Sequence, residues 1–357
     1  MRTIKVGFCF LQVVFLLTIW LSNVHVVVPR SHKVKYLPGF DGPLPFSLET
    51  GYIGVDQGEE AQLFYYFFES ENNPKEDPLL VWLTGGPLCS AMSAILYEIG
   101  PIQFEEKNDN QALPKLVLRS HSWTKLASII FVDFPTGAGF SYAKTPRTNY
   151  SGDYRASHNM NEFLRKWLTN HPQFLSNHLY LGGDSYTGFT LPLYFVDMVS
   201  GNERGLQPFL NLKKEGYIIA QDWMNKRSVQ ANFHIRKGTI GKWKRCNYAH
   251  KYSYEVSSSV PYHLELSAKG FRSLIYSGDH DMIVPFLGTQ AWIRSLNYSI
   301  LDDWRKWMVD GQVAGFTRTY TNKMTFATVK GAGHTAPEYK PKQCASMFKR
   351  WIQGEAL

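Results

Sequence analysis

Cysteine is scarce in this chain: four residues in 357, of which Cys9 lies in the first apolar stretch, leaving Cys89, Cys246 and Cys344. Three thiols admit one disulfide at most and leave one over. No C-x-x-C or H-x-x-x-H spacing occurs, so neither a metal site nor another cofactor is expected. Internal repeats and low-complexity blocks are absent. Beyond residue 21 no apolar run approaches the length needed to span a bilayer. Acidic residues do not balance the basic ones, and the formal charge is +8. Basic residues crowd between positions 226 and 245 without any nucleic-acid motif, so they read as a solvated face and nucleic acid is not an expected partner.

The start of the chain is of another kind. Arg2 and Lys5 precede an apolar run from Val6 to Leu21, interrupted by Gln12 and Thr18 and followed by Ser22 and Asn23. A basic start, a short apolar core and polar residues after it predict a secretory signal over about 1–29; an uncleaved anchor is the alternative. Its removal leaves residues 30–357 as one domain, secreted or vacuolar, with no stable membrane association. The N-x-S triplets at Asn149 and Asn297 are glycosylation candidates on that route.

With 44% hydrophobic and 15% aromatic residues, the chain can fill a large core. Short β-branched runs at 79–83, 128–133, 179–181, 217–220, 273–276 and 325–329 alternate with helical patterns at 161–168, 191–198, 289–296 and 343–351. This predicts an α/β fold, a mostly parallel sheet covered on both faces. Residues 51–68 read as an antiparallel hairpin at its leading edge, which makes the sheet mixed.

LGGDSYTG, residues 181–188, follows one of those strands. A serine between glycines at a strand-to-helix junction is the setting of a nucleophile elbow, although Thr187 stands where G-x-S-x-G has its last glycine. Alone, the motif fits an ordinary turn serine equally well. Two later strand ends add what a nucleophile needs. SGDHD ends the run at 273–276, and KGAGH ends the run at 325–329. Serine, acid and histidine thus occur in the required order, each at the carboxyl end of a predicted strand. His334 would take the Ser185 proton and an aspartate would orient the imidazole. Asp281 is preferred for that role over Asp279, which is read as a turn residue, and His280 is read as solvated. The oxyanion donors are expected from the amides of Tyr186, after the serine, and Gly86, in the Gly85-Gly86-Pro87 loop.

These stretches together resemble the plant serine carboxypeptidase-like proteins of the α/β-hydrolase fold. The resemblance runs through LPGFDGPLPFSLETGYIGV (37–55), WLTGGPLCS (82–90), DFPTGAGFSY (133–142), GDSYTG (183–188), YSGDHDMIVP (276–285) and GAGHTAP (331–337). It implies a triad of Ser185, Asp281 and His334, with oxyanion donors at Gly86 and Tyr186. It also implies a Cys89–Cys246 disulfide, with Cys344 a buried free thiol. Two chemistries occur in the family on one acyl-enzyme: release of a C-terminal residue from peptides, and acyl transfer from a glucose ester. Peptidase members carry an asparagine and a glutamate where this chain has Thr84 and Asp184, with Glu98 as third member of that substrate network. Thr with Asp is the acyltransferase pattern, so transfer is the favoured activity and carboxypeptidase the alternative, on a small-molecule ester or peptide. Two departures raise a third reading, an inactive binding protein. Leu88 stands where the family has glycine, which would cost about 1–2 kcal/mol if φ is positive there and would crowd the oxyanion loop. Around Ala220 and Gln221 the family's helical insertion is expected to be missing in part, leaving a reduced cap at about 221–260.

Overall fold

Two strands dense in aromatic and β-branched residues open the sheet. Strand β1 (Leu48–Val55) pairs antiparallel with β2 (Ala61–Phe68), Leu48 opposite Phe68 and Val55 opposite Ala61. Both are buried along their whole length, as strands covered on two faces must be. The computed structural model describes residues 31–105, 113–211 and 227–357. The strand expected at 217–220 and the leader at 1–29 lie outside the described residues.

Strands β3 (Leu79–Leu83), β4 (Ser128–Val132) and β5 (Leu179–Gly183) continue the sheet in the order β1-β2-β4-β3-β5. The β4–β3 and β3–β5 pairs are parallel and in step: Leu83 stands opposite both Val132 and Gly183. Their carboxyl ends therefore reach one edge together, which puts the following loops side by side. A second sheet contains β6 (Ser273–Gly278), β7 (Ile300–Val309), β8 (Gln312–Tyr320) and β9 (Met324–Val329), in the order β6-β9-β8-β7. The β6–β9 pair is parallel, Gly278 opposite Val329, while β7–β8 is an antiparallel hairpin that the sequence reading missed.

The two-residue period of a strand sorts the core. Leu79, Val81 and Leu83 pack beneath α2 (Asp153–Asn170) and α3 (Tyr186–Glu203), among Phe163, Trp167 and Phe195. Leu80 and Trp82 face the other side, which α1 (Met92–Tyr97) and α6 (Pro341–Gln353) cover with Ile95, Phe348 and Trp351. Between these, α4 (Val260–Ala268) and α5 (Phe286–Ser295) flank the second sheet. The helix whose pattern was read at 191–198 begins earlier, at Tyr186, with only Asp184 and Ser185 between it and β5.

One fully buried carboxylate joins the loops at the β3 and β4 ends. Asp133 Oδ1 accepts from the Ser90 hydroxyl (2.5 Å) and the Ala91 amide (2.9 Å), and Oδ2 from the Phe140 amide (2.9 Å). Burial pushes its carboxyl up to about 6, against the opposing pull of those donors. Each oxygen holds one backbone N–H, so an amide in its place turns an NH2 toward one of them in either flip. Asp133→Asn is expected to lower stability by about 2 kcal/mol, measured by urea unfolding at pH 7, because one buried amide loses its acceptor.

Candidate functional site

The nucleophile candidate stands where two close-packed loops force it. Ser185 has φ 45° and ψ −119°, a left-handed conformation rare for a residue with a side chain. A Cβ on Gly183 would meet Thr187 Oγ1 at 2.2 Å, and one on Gly85 would meet Asp184 O at 2.8 Å and Ser185 Cβ at 2.9 Å. Both positions thus need glycine for the β3 and β5 loops to pass. Thr187, the departure from G-x-S-x-G, closes the elbow: its hydroxyl donates to Asp184 O (2.6 Å) and reaches Leu83 O (3.1 Å).

His334 reaches this serine from the β9 end. Its Nε2 lies 3.1 Å from Ser185 Oγ and its Nδ1 lies 2.7 Å from Asp281 Oδ2. Asp281 is 7% exposed, and its other oxygen accepts the Ile283 and Val284 amides at 2.8 and 3.0 Å. Hydroxyl, imidazole and carboxylate form one continuous hydrogen-bonded series, the geometry that serine acyl transfer requires. Asp279 does something else: it accepts the Gly331 amide at 2.6 Å. Together with His280 N donating to Ala332 O (2.9 Å), this stitches the aspartate loop to the histidine loop. Gly278 permits that approach, since a Cβ there would meet Gly333 O at 2.2 Å. The His280 side chain is exposed.

A cleft of about 740 Å³ opens over these groups. Gly86 and Tyr186, the two residues expected to supply oxyanion amides, both line it. Its walls carry apolar rings, Phe189, Tyr254 and Trp292, and a run of hydroxyls at Ser257, Ser258 and Ser259; among the described residues lining it there is no lysine or arginine. The sequence reading passed over these wall residues; Phe189 directly follows the motif at 181–188, and the others adjoin no recognisable motif.

Of the three residues expected to bind substrate, Asp184 lines the cleft, while Thr84 and Glu98 are 1% exposed and lie outside its lining. Asp184 Oδ1 accepts the Gly85 amide at 2.9 Å. Thr84 Oγ1, Asp184 Oδ2 and both Glu98 oxygens are buried without a hydrogen-bond partner among the described residues. Burial raises the Glu98 carboxyl well above the usual carboxylate range, and the charges of Asp184 and Glu338 add to the effect. Burial likewise raises Asp184. Arg119, whose Nη2 donates to Leu96 O at 2.6 Å, is pulled down to about 10 by burial.

Cys89 and Cys246 are joined in a disulfide, and Cys344 is a buried free thiol that burial raises. The bridge is flanked by the Ser90 amide donating to Arg245 O (2.7 Å) and the Asn247 amide donating to Leu88 O (3.0 Å). Leu88 has φ 73°, so the position is left-handed, as feared from the sequence. Its side chain, however, is 1% exposed and does not line the cleft, so the expected crowding of the loop mouth is not seen. Asn149 and Asn297 are both exposed. No helix among the described residues is long and apolar enough to cross a membrane.

A family model described as serine carboxypeptidase matches residues 38–221 and 216–354. The chain belongs to the serine carboxypeptidase family. Among curated relatives, it is 42% identical to serine carboxypeptidase-like 17 of Arabidopsis thaliana, over 95% of this chain and 98% of that one. It is 44% identical to serine carboxypeptidase-like 11 of the same plant, over 96% and 98%. The prohormone-processing carboxypeptidase Kex1Δp of Saccharomyces cerevisiae shares the α/β-hydrolase fold, with a TM-score of 0.79 at 18% identity over 90% of this chain and 96% of that one. The alignment with serine carboxypeptidase-like 17 spans 429 positions, more than the 357 residues of this chain, so the relative carries residues this family member lacks. The two matched segments meet at 216–221, where the sequence reading put the missing insertion.

Two expectations follow from these buried groups. In the native state Glu98 holds a proton that the unfolded chain releases above about pH 4.3, so its contribution to stability falls as pH rises from there toward its raised native value. Glu98→Gln is therefore expected to melt higher than the parent at pH 7, with the difference shrinking to nothing near pH 4. For Leu88, relief of about 1–2 kcal/mol of strain is set against about 2–5 kcal/mol for emptying a buried leucine site. Leu88→Gly is expected to destabilise by about 2 kcal/mol in denaturant titration, the lost packing outweighing the strain.

Proposed function

We propose that this family member is a serine enzyme working through an acyl-enzyme, with Ser185 as nucleophile, His334 as general base and then acid, and Asp281 as the orienting carboxylate. The unbroken series from Ser185 Oγ through His334 to Asp281 carries this reading. His334 takes the hydroxyl proton as Oγ attacks the ester or amide carbonyl. The tetrahedral oxyanion is met by the amides of Gly86 and Tyr186, and the leaving group departs with the proton from Nε2. A second alcohol or water, deprotonated by His334, releases the acyl group.

Acyl transfer from an uncharged sugar ester is the activity favoured within this chemistry. A peptide's terminal carboxylate needs a cation or several donors once desolvated. The cleft lining offers no lysine or arginine among the described residues, and Asp184 there has one oxygen, Oδ2, without a hydrogen-bond partner among them. The serine run at 257–259 supplies neutral hydroxyls suited to a glycosyl leaving group or an alcohol acceptor. The reading includes passage through the secretory route, with a leader over about 1–29 and glycans at Asn149 and Asn297.

Protein secreted from a eukaryotic host, presented with a fluorophosphonate probe, is expected to be labelled at Ser185. Ser185→Ala should lose the label and about 10⁴-fold or more of turnover. Given a glucose ester with an alcohol acceptor beside a set of blocked dipeptides, the parent should acylate the acceptor and leave the dipeptides largely intact. Rapid dipeptide cleavage without transfer reverses the choice of activity, and absence of labelling in folded protein marks an inactive binding relative.

A further inference from the structure

Taking Ser185 as the nucleophile, as proposed above, we infer that Asp153 is a positioning residue for the site, holding both the residue that follows the nucleophile and the adjoining cleft wall. Asp153 begins α2 and its side chain is fully buried. Oδ1 accepts two tyrosine hydroxyls, Tyr186 at 2.8 Å and Tyr252 at 2.7 Å. Oδ2 accepts two backbone amides, Glu255 at 2.7 Å and Val256 at 2.9 Å. The clamp is returned from the other side, since Glu255 Oε2 accepts the Tyr154 amide at 3.0 Å. A two-residue parallel bridge, Ser151–Gly152 with Tyr252–Ser253, sets the register of the two segments.

Each tie leads to the cleft. Tyr186 carries the amide assigned to the oxyanion, one residue from Ser185 and at the first turn of α3. A rigid ring hydrogen-bonded at its far end fixes where that backbone sits. The segment after Tyr252 supplies Tyr254, Val256 and Ser257 to the wall. The rings interlock as well: Tyr186 meets Tyr254 at 5.4 Å and Tyr252 at 5.9 Å, edge to face. One carboxylate thus sets two separable properties: the placement of the oxyanion donor, which enters the rate, and the placement of the wall, which enters the binding of bulky substrates.

The wiring of Asp153 also predicts which substitution is tolerated. An asparagine can keep its oxygen on the two amides and turn its NH2 to the tyrosine hydroxyls, which rotate to accept. Asp153→Asn is accordingly the conservative variant and Asp153→Ala the disruptive one. Turnover of p-nitrophenyl acetate, whose acyl group ends in one methyl, and of the bulkier p-nitrophenyl benzoate is measured well below each variant's melting temperature. Asp153→Ala should lose about tenfold in kcat on the acetate, a fraction of what complete loss of an oxyanion donor costs, and Asp153→Asn should restore it to within about threefold. Tyr186→Phe, which cuts only the tie to the oxyanion residue, should lower kcat on both esters. Tyr252→Phe, which cuts the tie to the wall, should chiefly raise KM for the benzoate. If Asp153→Ala is folded and matches the parent on both esters, or if the two tyrosine variants give the same kinetic profile, Asp153 only supports the fold and the inference is overturned. If the parent itself turns over neither ester and takes no fluorophosphonate label, it is the acyl-enzyme reading that fails, and the positioning role falls with it.

Discussion

A serine at φ 45° carries backbone strain of about 1–3 kcal/mol, and the strand ends around it are built so that no relaxed alternative is open. β5 stops at Gly183 and α3 starts at Tyr186, which leaves two residues to reverse the chain. Asp184 is tied to the Gly85 amide, Thr187 is tied back to Asp184 and Leu83, and the glycines at 85 and 183 let the two loops touch. The turn therefore lifts Ser185 off the sheet edge, where an imidazole arriving from β9 can meet its hydroxyl. The parallel register of β3, β4 and β5 supplies the common edge, and the β6–β9 pair brings the acid and the histidine to it as neighbours.

Five buried or half-buried acids near this edge have different wiring, and the wiring decides what each contributes. Asp281 gives one oxygen to two amides and the other to His334, so its charge is anchored and aimed. Asp133 spreads its acceptors over two loops and acts as a knot in the backbone. Asp153 divides its oxygens between hydroxyls on one side and amides on the other, which makes it a joint between the elbow and the wall. Glu98 and Asp184 have orphan oxygens, and burial drives them toward the protonated form. A neutral carboxyl is a hydrogen-bond donor as well as an acceptor, so such a group can serve a neutral partner from either side.

Much of the scaffold could be read along the chain because its signals are local. The run LLVWL at 79–83 is strand from end to end, since five apolar residues between turns can hardly be anything else beside helix-length patterns. The order serine, aspartate, histidine at three strand ends was legible for the same reason, and the structure brings all three together. The β7–β8 hairpin escaped because ILDDWRKWMV mixes charges into an edge strand that is largely solvent-facing, which blurs the two-residue period. Asp153 was invisible in a different way. Its partners Tyr252 and Val256 lie about a hundred residues on, in a stretch read only as a cap remnant, and nothing adjacent to Asp153 marks it as more than a helix-start acid. Leu88 shows the limit of reading a departure from a family pattern: a positive φ was considered there as a condition, but the direction of the side chain, into the interior and away from the cleft, depends on packing.

Loss of residues that relatives retain changes the mechanics of the remaining wall. A segment such as 252–260 has few core neighbours of its own, and a loop held by few contacts opens at low free-energy cost. Three hydrogen bonds to one buried carboxylate concentrate its anchoring at a point that is also the start of an 18-residue helix packed on the sheet. The wall thereby borrows the rigidity of the core through Asp153, with the Tyr252–Ser253 bridge and the Glu255 contact to the Tyr154 amide beside it. Because the same carboxylate holds the ring of Tyr186, any loosening of the wall is felt one residue from the nucleophile. A chain that lacks residues its relatives retain can keep a defined cleft under that arrangement, because the anchoring of the wall comes from the sheet and helices beneath it.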